Sequence, residues 1–222
     1  MHLQYTTDRL QLTVLNMEYA DHILDFLMEG RETFARVESP KPEGFYTLNY
    51  QSALVHAEYD SFMKGKYFRY YVTFKEDPEH IIGTVSFGNI LKAPYNSCII
   101  GYKFLPEYHH KGYATESIRR LIQAVFAENR IHRIEALCLP DNTASIKLLT
   151  GLYFQYEGIA HSVLELPDGY RDHNRYSLIN PCVSRFRVVY QYPNWLRVMS
   201  LLILNLKCSK PYIDAILLSR LV

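Results

Sequence analysis

The stretch Leu105-Pro-Glu-Tyr-His-His-Lys-Gly-Tyr-Ala-Thr-Glu116 lies where a strand gives way to a helix, and its residue types suit holding an anion. The first four N–H groups of a helix have no intrahelical partner, and the helix dipole places partial positive charge there. Gly112 lets the backbone come close to a phosphate, Ala114 does not obstruct that approach, Thr115 can donate a hydroxyl and Lys111 adds a formal charge. The spacing is not that of a nucleoside-triphosphate loop, because no Gly-Lys-Ser/Thr stands behind an earlier glycine; nor is it the dinucleotide fingerprint. Taken alone, Gly112-Tyr-Ala114 reads more simply as a plain helix entry. A second stretch, Pro140-Asp-Asn-Thr-Ala-Ser-Ile146, follows another strand and places Asn142 and Ser145 at a helix start.

The elements around these stretches are legible from periodicity. Ile118, Leu121, Ile122, Val125 and Phe126 recur at helical spacing, with Arg119, Arg120, Gln123 and Glu128 on the other side. Phe68, Tyr70, Val72 and Phe74 alternate with Arg69, Tyr71, Thr73 and Lys75, the period of a half-buried strand. Further strands are expected at Leu10–Val14, Ile81–Phe87, Asn96–Phe104, Arg133–Leu139, Leu152–Leu164 and Tyr170–Ile179. Helices are expected around Tyr19–Leu27, from about Gln51 to Met63, and from Asn142 to about Thr150, with a loop over Glu38–Asn49. This alternation points to an α/β chain built on a mixed sheet with crossover helices.

The composition is that of a globular chain: 222 residues, 48% apolar and 21% charged, which excludes a disordered or disulfide-stapled protein. Net charge is +1, but the last 42 residues, from Pro181, hold six Lys/Arg against one Asp, a net of +5. The first 180 hold 18 Lys/Arg against 22 Asp/Glu, a net of −4, which argues against a nucleic-acid partner. Cys98, Cys138, Cys182 and Cys208 stand far apart, without metal or redox spacing, as expected of reduced thiols in the cytoplasm. No signal peptide opens the chain, and the apolar run Trp195–Leu206, broken by Arg197, Ser200 and Asn205, is shorter than the roughly 20 residues a membrane helix needs.

Taken together, four segments resemble the GNAT superfamily of acetyl-CoA-dependent N-acetyltransferases, and within it the RimJ/RimL-like branch that modifies ribosomal proteins. Thr7-Asp-Arg-Leu-Gln-Leu12 looks like its opening strand, and Gly101-Tyr-Lys-Phe104 with Pro106–Glu116 like its pyrophosphate loop. Asn142-x-x-Ser145 looks like its cofactor-side helix start, and Leu166–Tyr176 like its closing hairpin. The resemblance covers roughly residues 3 to 180. It implies a mostly antiparallel mixed sheet of about seven strands, splayed between the fourth and fifth, with about four helices. It implies an acetyltransferase domain over 1–180 and stops there; by composition, 181–222 is a basic, apolar extension, either a docking helix or sequence no fold has selected.

The implied chemistry is direct attack by a primary amine on the thioester. The pantetheine arm lies beside Tyr102–Leu105, where a main-chain N–H of Tyr102, Phe104 or Leu105 polarises the carbonyl. His109, His110, Lys111, Gly112, Tyr113, Ala114 and Thr115 cradle the pyrophosphate. Asn142 either binds the arm or caps the helix, and Ser145 either protonates the leaving thiolate or orients the cofactor. No metal is implied. The chain departs from the pattern in several places. His109-His110 replace the loop's usual Gln/Arg-Gly, Ile99 stands where many relatives have a glutamate base, and Leu149 stands where many have a tyrosine acid. The family's Leu-Gly-Phe reads Leu152-Tyr-Phe154. The base is then a water chain, Glu165 or His173. The partners implied are acetyl-CoA and an amine acceptor, a protein N-terminus, in a cytoplasmic enzyme that can pair as a homodimer. The alternatives are an acyl-CoA-binding module without turnover and an acetyltransferase for a small amine such as an aminoglycoside or polyamine.

Overall fold

A computed structural model describes residues 1–181. The expectations for the C-terminal extension lie outside the described residues, apart from Pro181. The unit Met1–Ile179 carries eight strands and five α-helices. They are β1 (Gln4–Thr6), β2 (Leu10–Thr13), α1 (Ala20–Glu29), α2 (Arg31–Ala35), α3 (Leu48–Met63), β3 (Phe68–Phe74) and β4 (Ile81–Leu91). They continue with β5 (Ser97–Phe104), α4 (Tyr113–Glu128), β6 (Arg133–Cys138), α5 (Thr143–Gly151), β7 (Gln155–Leu166) and β8 (Gly169–Ile179). The sheet order is β1-β2-β3-β4-β5-β6-β8-β7, antiparallel everywhere except between β5 and β6. The eighth strand is the three-residue β1, which folds back on β2 and has no alternating apolar signal of its own. The fifth helix is the one-turn α2, too short for a periodicity to show.

Sequence alternation predicts β3 half-buried, but Tyr70, Tyr71, Val72 and Thr73 are buried in succession. Successive residues of a strand point to opposite faces, so both faces of the sheet are covered here. The long helix α4 buries Ile118, Leu121, Ile122 and Val125, the stripe its sequence spacing predicts. Among the described residues no helix is long and apolar enough to cross a membrane.

The sheet opens between its two parallel strands. β5 and β6 pair only over Ser97–Ile99 and Arg133–Glu135. Beyond that, β5 stays with β4 as far as Phe104, and β6 stays with β8 as far as Cys138. Each strand is held from outside, so a gap is left between them. This is the expected splay, shifted by one in strand count because β1 precedes it. Parallel strands end on the same side, so the chain leaving Phe104 and the chain leaving Cys138 deliver the starts of α4 and α5 to one place.

The turn after α5 lacks the glycine expected there. Tyr153 itself takes the left-handed conformation, φ +68°. Two main-chain bonds close the helix end, Tyr153 N–H to Thr150 at 3.0 Å and Phe154 N–H to Leu149 at 3.0 Å. A left-handed residue with a Cβ costs about 1–2 kcal/mol. Tyr153→Gly is expected to raise the thermal midpoint by roughly 2–4 °C, the scale of 1 kcal/mol in a domain of this size. Tyr153→Val is expected to lower it, because a β-branched side chain suits this conformation least. Differential scanning calorimetry of the two variants checks both.

Candidate active site

The mouth of the gap opens into a cavity of about 500 Å³. Its walls are the end of β5, the loop into α4, the first turn of α5, and the segment Thr33–Val37. Gly112 is the N-cap of α4, with φ +83°, and no side chain caps that end. Tyr113, Ala114 and Thr115 follow it along the cavity wall. His110, where the family has glycine, keeps the glycine backbone with φ +60°. His109 ties the loop to its strand, its Nε2–H donating to the Phe104 carbonyl at 2.9 Å. Both imidazoles line the cavity. Lys111 does not; its ammonium stands 5.7 Å from the Tyr108 ring centre.

The loop is braced by the chain's opening segment. The Arg9 guanidinium donates to Glu116 through Nε at 2.8 Å and Nη2 at 2.6 Å, and to the Lys111 carbonyl at 3.2 Å. Its main-chain N–H and the Thr7 hydroxyl reach the other Glu116 oxygen at 3.1 and 2.6 Å. The guanidinium also stacks on Tyr113, 4.4 Å from the ring centre. Burial pushes the Glu116 carboxyl up, but the Thr7 hydroxyl and Arg9 outweigh it and hold it below its usual range. Sequence reading placed Thr7-Asp-Arg-Leu on an opening strand without a role. Two glutamate oxygens and a planar guanidinium fork supply one.

On the opposite wall, Asn142 Oδ1 accepts the Ser145 N–H at 3.0 Å and caps α5. Capping and ligand binding were alternatives for this amide. The structure uses only its oxygen for the cap, and Asn142 lines the cavity as well. The Ser145 hydroxyl lies 2.7 Å from the Tyr102 hydroxyl. Burial pushes the Tyr102 phenol well above its usual range, against the Ser145 hydrogen bond. The Cys138 thiol is raised by burial, against a smaller opposing effect of Ser145. Leu149 occupies the family's tyrosine position, and it is fully buried. The phenol near the serine therefore comes from β5 instead, a hydroxyl that sequence spacing could not reveal.

Along β5 the main chain alternates. The Leu105 N–H donates to the Ile82 carbonyl at 3.0 Å, so it faces β4 and is not available to the gap. In an antiparallel pair successive residues turn their N–H groups to opposite sides, so those of Tyr102 and Phe104 face the gap. Both residues line the cavity, whereas Leu105 is fully buried in the core around α1.

The two carboxylate and imidazole candidates lie elsewhere. Glu165 is on β7, paired with Tyr170 near the hairpin tip, and does not line the cavity. His173 is buried on β8, its Nδ1 3.1 Å from the Arg171 carbonyl, and does not line it either. Sequence reading missed Arg36 and Lys147, which bring two cations to the wall. Lys147 could have been found from its place two residues beyond Ser145; Arg36 sits beyond a helix with no readable period.

Behind Lys103 lies a buried charge network. Its ammonium reaches Glu38 at 2.7 Å and stands 4.8 Å from the Phe34 ring centre. Lys41 reaches the same carboxylate at 2.7 Å. Burial pushes the Lys103 ammonium down to about 8, against the pull of Glu38. Burial also raises the Glu58 carboxyl, which Arg69 pairs at 2.9 Å.

A splayed sheet whose parallel strand ends bring two helix starts to one cavity is the architecture of an acyl-CoA-dependent transferase. Residues 9–155 match the family described as "Acetyltransferase (GNAT) domain", and the chain belongs to that family. It is an N-acetyltransferase that uses acetyl-CoA. It is 29% identical over 180 residues to the [ribosomal protein uS5]-alanine N-acetyltransferase of Escherichia coli, covering 81% of this chain and 92% of that one. It is also 29% identical over 168 residues to the probable N-acetyltransferase YjcK of Bacillus subtilis, covering 75% and 92%. The crystal structure of the ribosomal-protein-S5-alanine acetyltransferase of Vibrio fischeri superposes with a TM-score of 0.77 at 27% identity, covering 81% and 98%. Mycobacterium smegmatis RimJ, solved with CoA-disulfide, shares the fold with a TM-score of 0.73 at 18% identity, covering 79% and 86%.

The Lys103 ammonium is expected to titrate near pH 8 in a carbon-13 lysine NMR titration, and Glu38→Gln to lower that midpoint further. The ordinary value is 10.5, so the cost of burying the charge is present in full below pH 8 and is relieved as pH rises toward 10.5. A midpoint above 10 would mean that the ammonium is solvated.

Proposed function

We propose that the chain acetylates the α-amino group of a protein N-terminus, with Ser145 and Tyr102 acting as one proton-donating pair toward the departing thiolate. The observation that carries this is the 2.7 Å contact between the two hydroxyls across the gap between β5 and α5. The named relatives that modify ribosomal-protein alanine support the choice of acceptor, since the chain covers nearly their whole length.

In this reading the uncapped start of α4 holds the pyrophosphate through the main chain of Gly112–Thr115, with His109 and His110 beside it. The N–H of Tyr102 or Phe104 polarises the thioester carbonyl. Asn142 keeps α5 in place with its oxygen and offers its NH₂ to the pantetheine arm. The amine attacks the acetyl carbon, the C–S bond breaks, the thiolate takes a proton from Ser145, backed by Tyr102, and the proton shed by the nitrogen as it becomes an amide restores the hydroxyl pair through cavity water. The ammonium proton leaves through water in the cavity mouth, because Glu165 and His173 stand outside the cavity. The buried thiols Cys98 and Cys138 are free, which suits the cytoplasmic setting of this reading.

Three variants test the assignment with acetyl-CoA and an alanine- or serine-initiated peptide, reading thiol release and locating the new acetyl group by mass spectrometry. Ser145→Ala is expected to lower kcat by about 10²-fold, the low end for a general acid, with Tyr102→Phe in the same direction. The double variant should fall no further than the more severe single one, as expected of groups acting as a unit. Acetylation of small amines but of no peptide would refute the acceptor. Arg9→Ala is expected to weaken acetyl-CoA binding about tenfold by calorimetry with kcat nearly unchanged, and Arg9→Lys to recover only part, because an ammonium cannot make the two-pronged contact.

A further inference from the structure

A second cavity of about 170 Å³ lies on the other side of Lys103. Lys103 lines both cavities, so it is the wall they share. The second is bounded by Phe26 and Leu27 of α1 and by five charged side chains. Glu38 and Lys41 come from the loop before α3, Glu58 from α3, Arg69 from β3 and Lys103 from β5.

The charges do not balance. Arg69 and Glu58 form one pair at 2.9 Å. Glu38 is left to two ammonium groups, Lys41 and Lys103, each at 2.7 Å. Among the described residues, one positive charge therefore has no carboxylate of its own. The side chains of Lys41 and Lys103 are only 27% and 14% exposed, so water screens that charge incompletely. An isolated charge in such a place is stabilised by a counter-charge with hydrogen-bonding oxygens. The cavity holds several waters' volume, enough for one short side chain.

Resting on the proposed acceptor, we infer that this cavity receives an acidic side chain from the incoming protein, selecting N-termini with Asp or Glu among their first two residues. The carboxylate sits between Lys41 and Lys103 and restores one-to-one pairing. The amine then lies on the other side of Lys103, beside the main chain of Tyr102 and Phe104.

The test uses peptides that differ only in carrying Glu, Gln or Lys at the first or second position. They are titrated calorimetrically into the full chain saturated with CoA at pH 7, and thiol release is followed separately with acetyl-CoA. The Glu peptide at one of the two positions is expected to bind about tenfold tighter than its Gln counterpart, with Lys weaker still. In Lys41→Gln, which removes the unbalanced charge from a surface loop, that preference is expected to vanish. Equal affinities, or a preference that survives in Lys41→Gln, overturns the inference. Peptide acetylation without charge preference leaves the proposed function standing and removes this pocket from it. Charge-selective binding without acetyl transfer does the reverse.

Discussion

The parting of two parallel strands is the constraint on which the rest of this molecule depends. β5 and β6 touch for three residues and are then each kept by an outer neighbour, β4 on one side and β8 on the other. A sheet interior normally leaves no main-chain group without a partner. Here the N–H groups of Tyr102 and Phe104 face an opening, and the same divergence creates the space in which a ligand can pair with them. The two helices that follow these strands arrive with their partially positive ends at the same opening, one uncapped and one capped by Asn142. Main-chain donors, helix ends and the cavity between them thus share one origin.

The residues that depart from the family pattern show how backbone shape outlasts side-chain identity. At positions 110 and 153 the expected glycine is replaced, yet His110 and Tyr153 both hold left-handed conformations. In each case the surrounding hydrogen bonds fix the path, and the side chain carries the strain. The hydroxyl pair follows the same logic. With Leu149 in the core, a phenol is brought beside Ser145 by Tyr102 on a neighbouring strand.

Much of the fold was readable because its signals are local. The stripe on α4, the alternation on β3 and the Gly112 turn place those elements within a residue or two. What could not be read depends on contacts distant in the chain. The sequence marks Tyr102 only as a main-chain donor, and its hydroxyl meets Ser145 only when α5 packs across the gap. Glu165 and His173 have suitable chemistry, but the β7–β8 hairpin points one along an exposed strand and the other into the interior. Lys103 carries no sequence signal of burial, though both faces near the sheet centre are covered and its ammonium is largely shut away from water. The one-turn α2 left no periodic trace, and with it Thr33–Val37 escaped notice.

The brace from Arg9 to Glu116 spans 107 residues of sequence. Closing so long a loop is entropically slow, and nothing local substitutes for it. The loop before α4 therefore attains its braced shape only after the Thr7–Arg9 segment has docked against a helix made much later. In the proposed reading, ligand affinity becomes a reporter of completed tertiary assembly, and a polypeptide lacking the Thr7–Arg9 segment would have the loop's sequence without its brace.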